Sequence, residues 1–137
     1  MFLFDTDIIT HTLKKRPSEA LLKKLGGLDP SVQFISTITV AEIVYGAEKS
    51  PHRDLHLRNL QDVLLPVVNV LDFDIRAAYL AGQLRAELER KGTPVSFPDL
   101  QIASIALANE LTLVTGNVRH FERIPRLKVE NWLTQDD

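Results

Sequence analysis

The chain has 137 residues, 45% of them apolar, with no cysteine and a formal charge of -2. Length and apolar content fit one compact domain over residues 1–137, with a single core and no room for a second. The missing cysteine excludes disulfide frameworks, thiolate nucleophiles and thiolate zinc sites, leaving oxygen or imidazole as metal ligands. No run reaches the roughly 18 to 20 apolar residues that span a bilayer, so a cytoplasmic protein without membrane contact is expected.

Phe2-Leu3-Phe4 is a short apolar run ending at Asp5, after which Ile8, Ile9, Thr12 and Leu13 recur at helical spacing. A second helix is expected after Ser18, through Ala20, Leu21, Leu22 and Leu25, closed by Gly26-Gly27. The β-branched stretch 32–38 predicts strand two, and Val40, Ile43, Val44 and Ala47 predict a helix from Thr39. A further helix over 53–64 leads past Pro66 into strand three at 67–71.

The longest helix is expected at 74–91, with Ile75, Ala78, Tyr79 and Gly82 marking one face and Gly92 as its stop. Pro98 suits the first turn of a helix over 98–109, Leu111 to Thr115 reads as strand four, a helical turn follows at 118–122, and a last strand at 128–132 carries Trp132 as a packing residue. Strands alternating with helices predict an α/β fold with a mainly parallel central sheet of about five strands, flanked by helices on both faces.

Four oxygen-bearing side chains, Asp5, Glu42, Asp99 and Asn117, fall where strand patterns give way to helical ones. In a parallel sheet such positions converge on the crevice at the carboxyl ends of the strands. Each acid alone has a structural reading. Glu42 stands three residues after Thr39 and Asp99 three after Ser96, the spacing of a capping box, and Asp5 and Asp7 flank a strand-to-helix turn where one Asp suffices as a cap. Three carboxylates in one crevice repel unless a cation compensates them, so together they favour a metal site. Mg²⁺ suits carboxylate and water ligands, and Mn²⁺ fits by hardness.

The charge of -2 argues against a polyanionic partner. A cation at the acids would offset that, leaving Lys14, Lys15, Arg16, Lys23, Lys24, Arg119, Arg123 and Arg126 to face phosphates. His52 and His56 read as solvated, whereas His120, beside Asn117 and Arg119, is placed at the crevice mouth within reach of a phosphate.

Five segments then carry a resemblance over nearly the whole chain: Phe-Leu-Phe-Asp-Thr-Asp-Ile-Ile from residue 2, Thr-Val-Ala-Glu-Ile-Val-Tyr-Gly-Ala-Glu-Lys-Ser from 39, Arg-Ala-Glu-Leu-Glu-Arg-Lys-Gly-Thr-Pro-Val from 85, Pro-Asp-Leu-Gln-Ile-Ala from 98 and Leu-Val-Thr-Gly-Asn-Val-Arg-His-Phe from 113. In this order they resemble the PIN-domain ribonucleases, in particular the VapC-type toxins of bacterial toxin-antitoxin pairs.

The resemblance implies a PIN-like fold and a metal-dependent endoribonuclease in which metal-activated water cuts RNA, with tRNA among the targets of relatives. It implies Asp5, Glu42 and Asp99 as the site acids, with Asp5 and Asp99 holding Mg²⁺ or Mn²⁺ and Glu42 bonding directly or through a metal water. It further implies Asn117 where many relatives carry a fourth acid, a homodimer, and a VapB-type antitoxin over the acidic groove. Asn117 brings no charge, which weakens the case for a second metal, and Asp7 stands where the family commonly has Asn.

Three rivals remain at this point. Asp5-Thr6-Asp7 after a strand also suits an aspartate-nucleophile phosphatase, but the later acid pair is absent. A receiver-like signalling module would use Asp72, but lacks the expected late lysine. A PIN fold that binds RNA or antitoxin without cutting is the third.

Overall fold

The computed structural model describes residues 1–12 and 19–133. Lys14, Lys15, Arg16 and the proposed cap Ser18 lie outside the described residues.

Five short strands form one sheet: β1 (Phe2–Phe4), β2 (Gln33–Ser36), β3 (Asn69–Leu71), β4 (Thr112–Val114) and β5 (Val129–Glu130). Their order is β3-β2-β1-β4-β5 and every pairing is parallel, as expected. The chain starts in the middle, works outward to β3, then crosses to β4 on the other side of β1. Strand order therefore reverses between β1 and β4, where the carboxyl ends open a crevice.

Alternation along the strands divides the core in two. Leu3, Phe34 and Leu113 point to one side, against α5 (Ile75–Arg90) and α6 (Phe97–Ala108). Phe4, Ile35 and Val114 point to the other, where Ile8 and Ile9 of α1 (Thr6–Thr12), Leu25 of α2 (Glu19–Gly26) and Ile43 of α3 (Thr37–Glu48) cover them. Helix α6 is apolar nearly all round, with Leu100, Ile102, Ala103, Ile105, Ala106 and Ala108 buried, as a central helix must be. Among the described residues no helix is long and apolar enough to cross a membrane.

Several elements differ from expectation. Strand two is shorter than 32–38 because Val32 closes a 3₁₀ turn at Pro30–Val32 and α3 already starts at Thr37. Its cap is Ser36, whose hydroxyl accepts from the Thr39 amide at 3.0 Å, so the Thr39-to-Glu42 capping box is not formed.

The helix expected over 53–64 is α-helical only as α4 (Arg53–Arg58) and widens to a π-helix over Asn59–Leu64. Val67 ends a 3₁₀ turn, so strand three begins at Asn69. On α5 the face marked by Ile75 and Tyr79 is turned outward, these two being 71% and 70% exposed; Ala77, Ala81, Leu84 and Leu88 are buried instead, because small side chains let α5 approach α6 closely. Trp132 lies just beyond β5 and packs edge-on to Phe2 and Phe4, with ring centroids at 4.8 and 5.5 Å.

Candidate active site

Asp5 is the first residue beyond β1 at the strand-order reversal. Its amide donates to the Val114 carbonyl at 2.9 Å, which prolongs the β1–β4 ladder by one bond and delivers the side chain into the crevice. One carboxylate oxygen accepts from the Thr6 amide at 2.8 Å, the other from the Thr115 hydroxyl at 2.9 Å. Asp5 is 7% exposed.

Burial, and then the neighbouring Asp7 carboxylate, push the Asp5 pKa up to about 7. The Thr115 and Thr6 hydrogen bonds oppose this without cancelling it, and Asp99 adds a further repulsion. Asp7 is also raised, chiefly by burial, with Asp99 again contributing. Its Oδ2 accepts from the Gly116 amide at 2.9 Å, so Asp7 ties α1 to the turn that follows β4. Gly116 is required there because a Cβ would stand 2.9 Å from Asp7 Oδ2 and 2.7 Å from Leu133 Cδ1.

Glu42, one turn into α3, is exposed, and its Oε1 accepts from the Thr6 hydroxyl at 2.7 Å. Thr6 therefore bridges two of the four expected side chains, with its N–H on Asp5 and its O–H on Glu42.

Asp99 occupies the first turn of α6 behind the cap Ser96, whose hydroxyl accepts from the Asp99 amide at 3.4 Å. Its Oδ2 lies 3.5 Å from Nδ1 of His120 on α7 (Val118–Phe121), so His120 stands at the crevice mouth as expected. Asn117 stands at the N-cap position just before α7; its amide donates to the Thr115 hydroxyl at 3.0 Å, and its side chain makes no cap bond.

Thr6 thus links Asp5 to Glu42, the Thr115 hydroxyl links Asp5 to the backbone of Asn117, and Asp99 joins through its charge on Asp5 and Asp7 and its contact with His120. Thr6, Thr115 and Gly116, which hold the acids, were not singled out from the sequence. The available signal was position: each stands next to an acid or amide at a strand end.

As to a metal, the donor set is all oxygen, which suits a hard cation. Burial first, and then the Asp7 and Asp99 charges, disfavour the Asp5 carboxylate, a penalty that a bound cation would relieve, so these donors suit one. Among the described residues, no three His, Asp or Glu side chains already meet in a ligating cluster.

The basic residues divide. Arg119 and His120 are exposed at the mouth, whereas Arg126 lines a recess with Glu110 and Lys128 at the opposite end of the sheet and does not face the acids. Lys24 lies over the Trp132 ring, 5.7 Å from its centroid.

Comparison with known proteins identifies the fold family. A family model described as PIN domain matches residues 2–127. This chain belongs to the PIN-domain family. Within it, the VapC proteins are similar over nearly full length. The tRNA(fMet)-specific endonuclease VapC of Salmonella typhimurium is 42% identical, covering 96% of this chain and 97% of that protein. Ribonuclease VapC2 of Rickettsia felis is 36% identical, covering 96% and 98%.

Among solved structures, VapBC2 from Rickettsia felis bound to a DNA fragment from its promoter superposes with TM-score 0.88 at 36% identity, covering 96% of this chain and 98% of that one. FitAB bound to an IR36 DNA fragment gives 0.90 at 25% identity, covering 100% and 99%.

Proposed function

We propose that this PIN domain is the ribonuclease toxin of a VapBC-type pair: a divalent-cation-dependent endoribonuclease, restrained by a VapB-type antitoxin, with a tRNA as target. The observation that carries the reading is Asp5, a buried carboxylate aimed into a crevice with Asp7 and Asp99 and raised to about 7 by burial and by their charge. An acid placed so unfavourably at the strand-order reversal of a parallel sheet is what a cation site requires. The near full-length similarity to VapC ribonucleases supports the chemistry and the partner.

Asp5 and Asp99 would hold Mg²⁺ or Mn²⁺, with Glu42 beside them and Asn117 offering a neutral carbonyl oxygen. When bound, the cation supplies Lewis acidity and offsets the charge of the scissile phosphodiester. The chain's own contribution is placement. The Thr6 amide and Thr115 hydroxyl fix the plane of Asp5, the Thr6 hydroxyl holds Glu42, and Arg119 and His120 offer positive charge or hydrogen bonds to the phosphate backbone. A water oxygen bonds to phosphorus while the P–O3′ bond breaks and O3′ takes up a proton. The products are a 5′-phosphate and a 3′-hydroxyl, and the 2′-hydroxyl takes no part.

The test is cleavage of a cellular small-RNA pool by the purified chain freed of antitoxin, with Mg²⁺ or Mn²⁺, beside an EDTA control and the Asp99→Asn variant. Cuts that need the metal, fall by at least about 10²-fold in the variant and map to a tRNA are expected. Products ending in a 2′,3′-cyclic phosphate overturn the mechanism. A folded, antitoxin-free chain that never cuts makes it a binding module.

A further inference from the structure

We propose that the hydroxyls of Ser36, Thr39 and Thr6 form a directed relay that fixes the side-chain rotamer of Glu42, which makes Thr6 and Thr39 positioning residues. Its catalytic consequence rests on the nuclease reading above; its geometry does not.

The chain of contacts is short and unbroken. Ser36 Oγ lies 3.3 Å from Thr39 Oγ1, Thr39 Oγ1 lies 3.1 Å from Thr6 Oγ1, and Thr6 Oγ1 lies 2.7 Å from Glu42 Oε1. Ser36 and Thr39 are fully buried, whereas Glu42 at the far end is exposed.

A hydroxyl carries one hydrogen and a carboxylate only accepts. The Thr6 hydrogen must therefore go to Glu42, which leaves the Thr6–Thr39 contact to be made by the Thr39 hydrogen. The Ser36–Thr39 contact then needs the Ser36 hydrogen. Ser36 still has a lone pair for the Thr39 amide, 3.0 Å away. One assignment thus satisfies every contact with no hydrogen used twice, and it runs outward from the core to the carboxylate. Such a chain polarises its last member, and the last bond is the shortest of the three, as a charge-assisted O–H···O⁻ bond is.

Capping does not account for this. A cap at Ser36 uses only its acceptor toward the Thr39 amide. It has no need of the Thr39 hydroxyl, and still less of Thr6, which reaches across from another helix. The relay instead gives an exposed, flexible glutamate a buried anchor. Because the Thr6 amide is also on Asp5, it ties the two acids to a common reference.

The experiment reads the Glu42 Cδ chemical shift in the full-length ¹³C-labelled chain, free of metal and RNA. It compares Thr6→Val, Thr6→Ser, Thr39→Val and Thr39→Ser, with unfolding midpoints measured alongside. Both valine variants are expected to move the Glu42 Cδ resonance, although Thr39 does not touch Glu42, and both serine variants to leave it near its original position. In cleavage of the RNA pool, kcat should fall about 10²-fold in Thr6→Val and about tenfold in Thr39→Val, with KM within about twofold and recovery in the serines.

An unmoved Glu42 carbon in Thr39→Val, whatever happens to the midpoint, overturns the relay; should that variant fail to fold, Thr39→Ala is read in its place. A chain that cuts RNA with its carbon unmoved removes the relay and keeps the nuclease. A chain that never cuts while its carbon moves keeps the relay and removes the nuclease.

Discussion

Strand β4 joins two ends of the molecule that are built on opposite terms. At its start, α6 passes into the strand through a tight turn: the Leu111 amide donates to the Ala106 carbonyl at 2.9 Å and the Glu110 amide to Leu107 at 3.3 Å. The Arg76 guanidinium donates to the Ala108 carbonyl at the same place. Here the strain is in the backbone, Glu110 standing at φ 55°, and the charges are complementary, a cation at a helix C-terminus.

At the other end, Thr115, Gly116 and Asn117 leave the strand without positive φ, and the strain is electrostatic, with like charges crowded around a buried Asp5. The first end pairs its charges and holds its strain in one backbone angle. The second gives up stability for a constellation that a lone fold would not choose, which is how a site differs from a scaffold.

The largest test of that contrast is pH. Folding raises the Asp5 pKa from 3.8 to about 7, so the folded chain binds this proton more tightly than the unfolded chain. The resulting stabilisation is complete below about 3.8 and lost as pH climbs through about 7. Its full size is on the order of 4 kcal/mol, and Asp7, also raised, acts in the same direction. Denaturant unfolding in EDTA should therefore show stability falling from pH 5 to pH 8. Asp5→Asn should remove most of the slope, and added Mg²⁺ should flatten it in the parent chain. Stability that rises over this range would mean the crevice is not the strained end.

A second test breaks the same end sterically. In Gly116→Ala the new methyl would meet Asp7 Oδ2 at 2.9 Å and Leu133 Cδ1 at 2.7 Å. The leucine tip can rotate away, but Asp7 is held by the backbone amide of the same residue. With no positive φ at Gly116, the cost is contact alone, about 1–2 kcal/mol, read as a lower thermal midpoint. An unchanged midpoint would show that Asp7 and Leu133 yield to the methyl without cost.

How far the contrast was legible in the sequence follows from its physics. Asp5 and Asn117 stand past the carboxyl ends of β1 and β4 as expected, because apolar runs mark strand ends and parallel topology does the rest; Asp99 instead starts α6 after the loop that follows α5, and Glu42 lies inside α3, so neither stands at the expected strand-to-helix transition. The hydroxyls that hold the acids carry no periodic signal. Ser36 and Thr39 are both competent caps, and the choice between them is made by the pairing of Ser36 with Leu71, which carries β2 to residue 36 and starts α3 one residue later. The inner face of α5 was misjudged for a related reason. Ile75 and Tyr79 are the more hydrophobic pair, but close approach to α6 selects Ala77 and Ala81. The π-helix at Asn59–Leu64 leaves no mark in composition at all.

The smallest effect belongs to the strained backbone at the other end. A side chain in the left-handed region crowds its own carbonyl at a cost of about 1–2 kcal/mol, and the position after a helix C-terminus is where glycine is most often found. Glu110→Gly removes that crowding but loses more unfolded-state entropy, about 0.5–1 kcal/mol. The net should be a gain of roughly 0.5–1 kcal/mol, a midpoint higher by roughly 2–4 °C, with RNA cleavage unchanged because the turn lies at the far end of β4 from Asp5. A drop in stability would mean that the Glu110 side chain contributes more there than its backbone loses. The two ends would then differ in which charges they crowd together and no longer in where the strain is held.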